Sequence, residues 1–245
     1  MTLPAAPFKR AYSPRELLAK KINRLKFDRE EWVDLFGHPS RYGVWFCWGN
    51  SGNGKTEFVM RLLRLFSANY RTLYVSLEEG LGNVHLQEAL LRNGLGDAGN
   101  LLISFDTVEE LAARLRKDKS PRVVVVDTVQ YWGITIQEYK ALVKEFDDRL
   151  FVFMSHVTPD GRTPDGATAL KIKKDSDLRL WIEGFKVFCQ GRTWGRTNEY
   201  VIWPQGADAY WGRKEKGGKN DKSGKDAAAQ SAASTGMGDG MERGL

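Results

Sequence analysis

Cysteine is nearly absent from this chain, with only Cys47 and Cys189 among 245 residues. That excludes a disulfide framework, and because both lie in apolar, strand-like runs the expectation is two reduced, buried thiols in a cytoplasmic protein. Long hydrophobic runs are missing too. No window approaches the roughly 20 apolar residues of a membrane span, and the first residues lack the apolar core of a signal peptide. Internal repeats are absent, which excludes solenoids and propellers. Large apolar residues become scarce beyond Trp211, where Lys, Gly, Ser and Ala dominate. Such a segment cannot bury enough surface to offset its ordering entropy, so 212–245 is expected to be a disordered tail. The net charge of +6 and the pI near 9.2 favour an anionic partner, although part of that excess sits in the tail.

What is present is organised around one stretch. Gly49-Asn50-Ser51-Gly52-Asn53-Gly54-Lys55-Thr56 fits GxxxxGK[ST] in full. An apolar run over 42–48 precedes it as a buried strand, and a helical pattern follows, with Phe58, Val59, Leu62, Leu63, Leu65 and Phe66 on one broad face. Glycines let the backbone wrap a phosphate so that N–H groups point inward, and the helix N-terminus adds partial positive charge. Lys55 then reaches the β- and γ-phosphates of ATP, and the Thr56 hydroxyl ligates Mg2+.

The rest of the chain alternates strands with amphipathic helices. Before the P-loop, 1–40 reads as a helical extension. Ser13-Pro14-Arg15-Glu16 forms a capping box, and Asp28-Arg29-Glu30-Glu31 repeats it ahead of Trp32, Val33, Leu35 and Phe36. These helices either pack on the core or lie against a neighbouring subunit. Strands are expected over 71–77, 101–105, 123–127 and 150–154, with helices between them near 84–91, from a Thr107 cap onward, and around Tyr139, Leu142, Val143 and Phe146. This pattern predicts a mainly parallel α/β sheet covered on both faces, with an ATPase core over 41–211. From Leu178 three short runs, 178–182, 185–190 and 199–203, read as antiparallel strands extending one edge.

Ligands of such sheets bind beyond the carboxyl ends of the strands. Those ends carry the P-loop, Glu78-Glu79, Asp127 and Ser155-His156. Asp127, after four valines, suits a Walker B carboxylate that holds the magnesium's water shell. Glu78, on a strand expected to lie beside the P-loop, suits the carboxylate that orients attacking water, with Glu79 as the alternative. His156 suits a polar sensor of the γ-phosphate.

These blocks resemble the RecA-like ATPases, most closely the RadA (Sms) branch of bacterial recombination proteins. Tyr74-Val75-Ser76-Leu77-Glu78-Glu79 is similar to that branch's YVSGEE, Val126-Asp127-Thr128-Val129-Gln130 to IDSIQ, and Ser155-His156-Val157-Thr158 to GHVTK. Asp177-Leu178-Arg179-Leu180-Trp181-Ile182-Glu183-Gly184 matches a VDTVLYFEG-like stretch. Gln190-Gly191-Arg192-Thr193-Trp194-Gly195, followed by Thr197-Asn198-Glu199, stands where the branch has KNRFG. The likeness covers about 41–205. It implies a RecA fold, ATP and Mg2+ as cofactors, Glu78 as water activator, His156 as γ-phosphate sensor, and ATP sites shared between subunits of a homo-oligomer, ring or filament. It also implies single-stranded DNA as partner and a role in recombination, repair or replication. Gln190 replaces the motif lysine, so Arg192, or else Arg196, must supply the finger offered to a neighbour. Neither a four-cysteine zinc module nor a protease-like domain is recognisable, so a stripped-down relative is expected, of the kind a phage or mobile element carries. The DNA surface is expected on a flexible loop over 158–174 carrying Arg162, Lys171, Lys173 and Lys174, with Tyr131 and Trp132 adding base stacking. A hexameric helicase motor and a DNA-independent, nucleotide-gated scaffold are the rival readings.

Overall fold

The computed structural model describes residues 10–192 and 195–216. Eight strands form one sheet in the order β3-β2-β4-β5-β1-β6-β7-β8. In chain order they are β1 (Gly43–Gly49), β2 (Thr72–Ser76), β3 (Leu101–Ser104), β4 (Val123–Asp127), β5 (Leu150–Ser155), β6 (Leu178–Glu183), β7 (Lys186–Gly191) and β8 (Glu199–Val201). The helices are α1 (Pro14–Ala19), α2 (Glu30–Phe36), α3 (Lys55–Ser67), α4 (Val84–Arg92), α5 (Val108–Leu115), α6 (Val129–Trp132), α7 (Ile136–Glu145), α8 (Ala167–Asp175) and α9 (Pro204–Lys216).

The central strands are apolar on both faces because both faces are covered. Trp45, Cys47, Tyr74, Val123, Val125, Leu150, Val152 and Met154 point to the side packed by α2, α3 and α4. Their alternates, Val44, Phe46, Trp48, Leu73, Val75, Val124, Val126, Phe151 and Phe153, meet α5, α6, α7 and α8. The two cysteines are free and buried. Both pair in register with Leu180 from opposite sides, so they stand two strand spacings apart, about 9–10 Å, too far for a disulfide.

Several expectations need correction. The run from Leu178 pairs parallel with β1 on one side and antiparallel with β7 on the other, and β7 in turn pairs antiparallel with β8. The crossover it requires is α8, in the segment expected to be a flexible loop. The strand carrying Glu78 is not beside the P-loop strand, because β4 and β5 intervene. The segment after β2 leans across instead: the N–H groups of Leu77 and Glu78 donate to the Asp127 carbonyl at 3.0 and 3.4 Å. The capping box at Ser13 and Glu16 is present, but α2 begins after Arg29 with no side-chain cap. Trp32, Leu35 and Phe36 bury α2 in the core, with Trp32 stacked on Phe36 and Tyr200, while α1 buries nothing and leaves Leu18 87% exposed. Helix α9 crosses the boundary expected at 211, and the rest of the tail lies outside the described residues.

One contact fixes where the P-loop starts. A Cβ on Gly49 would run into the Ile182 carbonyl of β6. Gly49→Ala must therefore push β1 and β6 apart at their shared end. It should cost about 1–3 kcal/mol in denaturant unfolding, and more in nucleotide affinity than in stability.

Candidate nucleotide-binding site

Beyond Gly49 the chain turns through Gly52 and Gly54, both at positive φ, into the N-terminus of α3. Gly54 sits against Ile202, which leaves little room for a side chain. Asn53 holds the loop in place: its Oδ1 accepts the Gly184 N–H at 2.7 Å and its Nδ2 donates to the Ser51 carbonyl at 3.1 Å. The turn between β6 and β7 thereby anchors the P-loop, a role for Asn53 that the motif alone does not disclose.

Ser51, Gly52, Gly54, Lys55 and Thr56 line a cavity of about 280 Å3 together with Glu57, Glu78, Glu79, Arg92, Asp127 and His156. The four strand ends singled out in the sequence therefore meet. At the floor, Asp127 is half-buried and accepts a 2.7 Å hydrogen bond from the Tyr74 hydroxyl. Burial pushes its carboxyl up to about 6, against the Tyr74 bond, with Glu78 adding to the rise and Lys55 opposing it. Burial also lowers Lys55, while Asp127 and Glu78 hold it up. The Asp127–Thr128 peptide is cis.

At the rim, His156 Nε2 lies 3.3 Å from Glu78 Oε2, and Tyr131 packs edge-on against the imidazole. Glu79 differs from its neighbour. One of its carboxylate oxygens is buried without a partner, and burial, then Glu78, raises its pKa. Gln130 ties Walker B to the sensor strand: its Oε1 accepts the His156 N–H at 3.2 Å, and its Nε2 donates to Ser155 Oγ at 2.9 Å and to the Asp165 carbonyl at 2.7 Å.

The oxygens of Thr56 and Asp127 are hard donors of the kind that would hold Mg2+. Among the described residues no group of three or more His, Cys, Asp or Glu could hold a metal by itself. Arg92, at the end of α4, was missed. Its only sequence signal is a basic residue in a last helical turn, which usually just complements the helix dipole.

Other expected site residues lie elsewhere. Trp132 is only 8% exposed and donates from Nε1 to the Asp106 carbonyl at 3.1 Å, so it is core and cannot stack on a base. Tyr131, 60% exposed, remains free to do so. Lys171, Lys173 and Lys174 lie on α8 rather than on a loop. Lys171 pairs with Asp175 at 2.6 Å, and the Lys173 ammonium lies 4.0 Å over the Trp48 ring. The preceding turn is ordered by Asp160, whose carboxylate accepts from Thr158 Oγ1 and from the N–H groups of Arg162 and Thr163. Arg192 is 76% exposed at the opposite end of the sheet, 3.2 Å from Asp177. Arg196 pairs with Glu30 at 3.3 Å. Neither reaches the nucleotide cavity of its own chain.

The fold is similar to that of the flagellar accessory protein FlaH from Methanocaldococcus jannaschii, with a TM-score of 0.54 over 74% of this chain and 94% of that one, at 14% identity. The fold is RecA-like. Within sequence, the chain is similar to the DNA repair protein RadA of Salmonella typhimurium, 26% identical over 127 residues, which is 46% of this chain and 27% of that protein. The chain thus spans about a quarter of that curated relative's length. No family model matches the chain. Among the described residues, no helix of this RecA-like chain is long and apolar enough to cross a membrane.

The raised Asp127 carboxyl carries a stability cost. The folded chain takes up this proton more readily than the unfolded chain, so stability falls as pH rises from about 4 through about 6 and stays lowered above that. Asp127→Asn should stabilise the nucleotide-free protein at pH 7.5 by on the order of 2 kcal/mol. The gain should vanish near pH 4 in urea unfolding, and Mg2+-dependent nucleotide binding should be lost at both pH values.

Proposed function

We propose that this chain binds and hydrolyses ATP with Mg2+ as a RecA-like, homo-oligomeric, single-stranded-DNA-binding ATPase acting in DNA recombination, repair or replication. The observation that carries the reading is the pairing of Glu78 with His156 at the mouth of a P-loop cavity floored by Asp127. Thr56 and Asp127 would hold magnesium, which would supply charge neutralisation to the phosphates. Lys55 and the P-loop N–H groups hold those phosphates. Glu78 orients water toward the γ-phosphorus, and His156, within hydrogen-bonding reach of Glu78, registers whether the γ-phosphate is present. Glu79, with a buried oxygen turned away from solvent, supports the strand end. Arg192 stands too far away to serve its own site, so its finger role requires a second copy. The similarity to RadA supports the DNA partner and the repair context.

Lys55→Ala should abolish ATP binding, whereas Glu78→Gln should bind ATP normally and hydrolyse it at least about a hundredfold more slowly. Glu79→Gln should lose less than tenfold. Steady-state turnover with nucleotide-binding titrations checks all three, and normal turnover in Glu78→Gln would sink the assignment.

The basic face comprises Arg162, whose guanidinium lies 5.6 Å from the centre of the Trp181 ring, together with Lys171, Lys173, Lys174 and the exposed Tyr131. Changing Lys171, Lys173 and Lys174 together to Ala should weaken oligo-dT binding. The log–log salt slope should flatten by about two units, at roughly 0.7 per phosphate contact. Basal ATPase should survive and its stimulation by DNA should disappear. The engagement of Lys171 and Lys173 within the chain favours a second reading, a DNA-independent ATPase whose nucleotide gates assembly. Under that reading single-stranded DNA leaves turnover unchanged in the unmutated protein.

A further inference from the structure

The other end of the sheet carries a larger cavity, about 560 Å3, separated from the nucleotide site by the length of the central strands. Three adjacent strands enter there, and each is preceded by an arginine. Thr72 pairs with Val123 and Val123 with Leu150, so Arg71, Arg122 and Arg149 stand side by side at neighbouring strand spacings of about 4.8 Å. The turn between α5 and β4 adds Arg116, Lys117 and Lys119 to the same cavity.

Six cations thus face three carboxylates. Asp148 lies within 2.5 Å of both Arg122 and Arg149, and Glu145 holds Arg116 at 2.6 Å. Asp118 is the one acid in the cavity wall. Three positive charges are left over. Among the described residues, Arg71, Lys117 and Lys119 have no ion pair.

Arg149 is the deepest of the set. Its side chain is 11% exposed, one guanidinium nitrogen donates to Ser120 Oγ at 3.0 Å, and its Nε is buried without a partner. Lys119 stands at φ 56°, a conformation uncommon for a residue with a Cβ. Like charges gathered in a concave, partly dry site repel one another unless an anion neutralises them. Guanidinium forks on adjacent strands suit the oxygens of linked phosphates better than a single carboxylate. The volume falls in the range of small-ligand sites.

We propose that this basin binds a small polyphosphate, in the class from pyrophosphate to a nucleoside triphosphate, at a site separate from the P-loop. Arg149 forms the floor, and Arg71, Arg122, Lys117 and Lys119 face the anion from the rim. The site is independent of the ATPase reading.

The test uses the full chain and calorimetric titration with sodium tripolyphosphate at low ionic strength. Lys55→Ala, in which the P-loop lysine is gone, should keep one tripolyphosphate site. Adding Arg71→Gln, Lys117→Gln and Lys119→Gln should weaken that site at least about tenfold, the loss expected for one charged contact. These three side chains are exposed, and unchanged melting by circular dichroism confirms folding. Equal affinities in the two proteins, or no tripolyphosphate binding to Lys55→Ala, overturn the proposal. So does a pattern in which the three changes weaken oligo-dT but leave tripolyphosphate untouched, because the basin is then a track for a nucleic-acid backbone. The readout is heat of binding, so it stands whether or not the chain hydrolyses ATP.

Discussion

A half-buried carboxylate at the end of an apolar strand is the constraint around which this molecule is arranged. Asp127 follows four fully buried valines and has few polar neighbours to ionise against: the Tyr74 hydroxyl, at hydrogen-bonding distance, and the Lys55 ammonium. Removing it from water is unfavourable by itself. The unfavourable term becomes an asset when a divalent cation arrives, since an under-compensated carboxylate gains more from the ion than a solvated one does. Tyr74 belongs to this logic. It is a strand residue whose ring serves the core while its hydroxyl reaches the strand end, so one side chain serves packing and the site together.

How much of this was legible in the sequence depends on whether local chemistry or long-range pairing decided the outcome. The P-loop, the Walker B strand and the meeting of strand ends were legible because each is written in consecutive residues with a stated chemical reason. Strand order was not. Nothing local reveals that β4 and β5 separate β2 from β1, or that β6 belongs to the parallel set. That pairing depends on α8, whose sequence, with two Asp-Gly pairs ahead and four basic residues in or near it, read as a solvated loop. Only Ala169 and Ile172 anchor the helix, too short a stripe for periodicity to show. Trp132 failed for a related reason. An aromatic pair after Walker B reads as one surface, but a four-residue helix turns Tyr131 and Trp132 to opposite sides. Arg92 and Tyr74 carried no signal, because each matters only through what folding brings near it.

Charge is distributed unevenly between the two ends of the sheet. At the C-terminal end, Glu57, Glu78, Glu79 and Asp127 outnumber Lys55 and Arg92. A polyphosphate entering there meets net negative charge, so binding must rely on backbone N–H groups, the lysine and an accompanying metal. At the N-terminal end the balance is reversed, with six cations against Asp118, Asp148 and Glu145. Arg192 shares that basic end rather than the nucleotide end, because β7 runs antiparallel and returns the chain there.

Gln130 converts the sensor from an isolated histidine into part of a lattice. Its one amide bonds the His156 backbone, the Ser155 hydroxyl and the Asp165 carbonyl. Asp165 closes a turn whose Arg162 carbonyl accepts the Trp48 indole N–H at 2.8 Å, and Trp48 is the last residue of β1 before Gly49. A path of hydrogen bonds and ring contacts therefore runs from Gln130, past His156, to β1 and to α8, where Lys173 rests on the same indole. A flexible loop would absorb a displacement at His156 within its own disorder. An ordered turn held by Asp160 at one side and Gln130 at the other passes the displacement on, because its bonds tie several positions of the turn to one another. The order over 158–175 thus joins the turn after β5 to the base of α8 through bonds rather than through free chain.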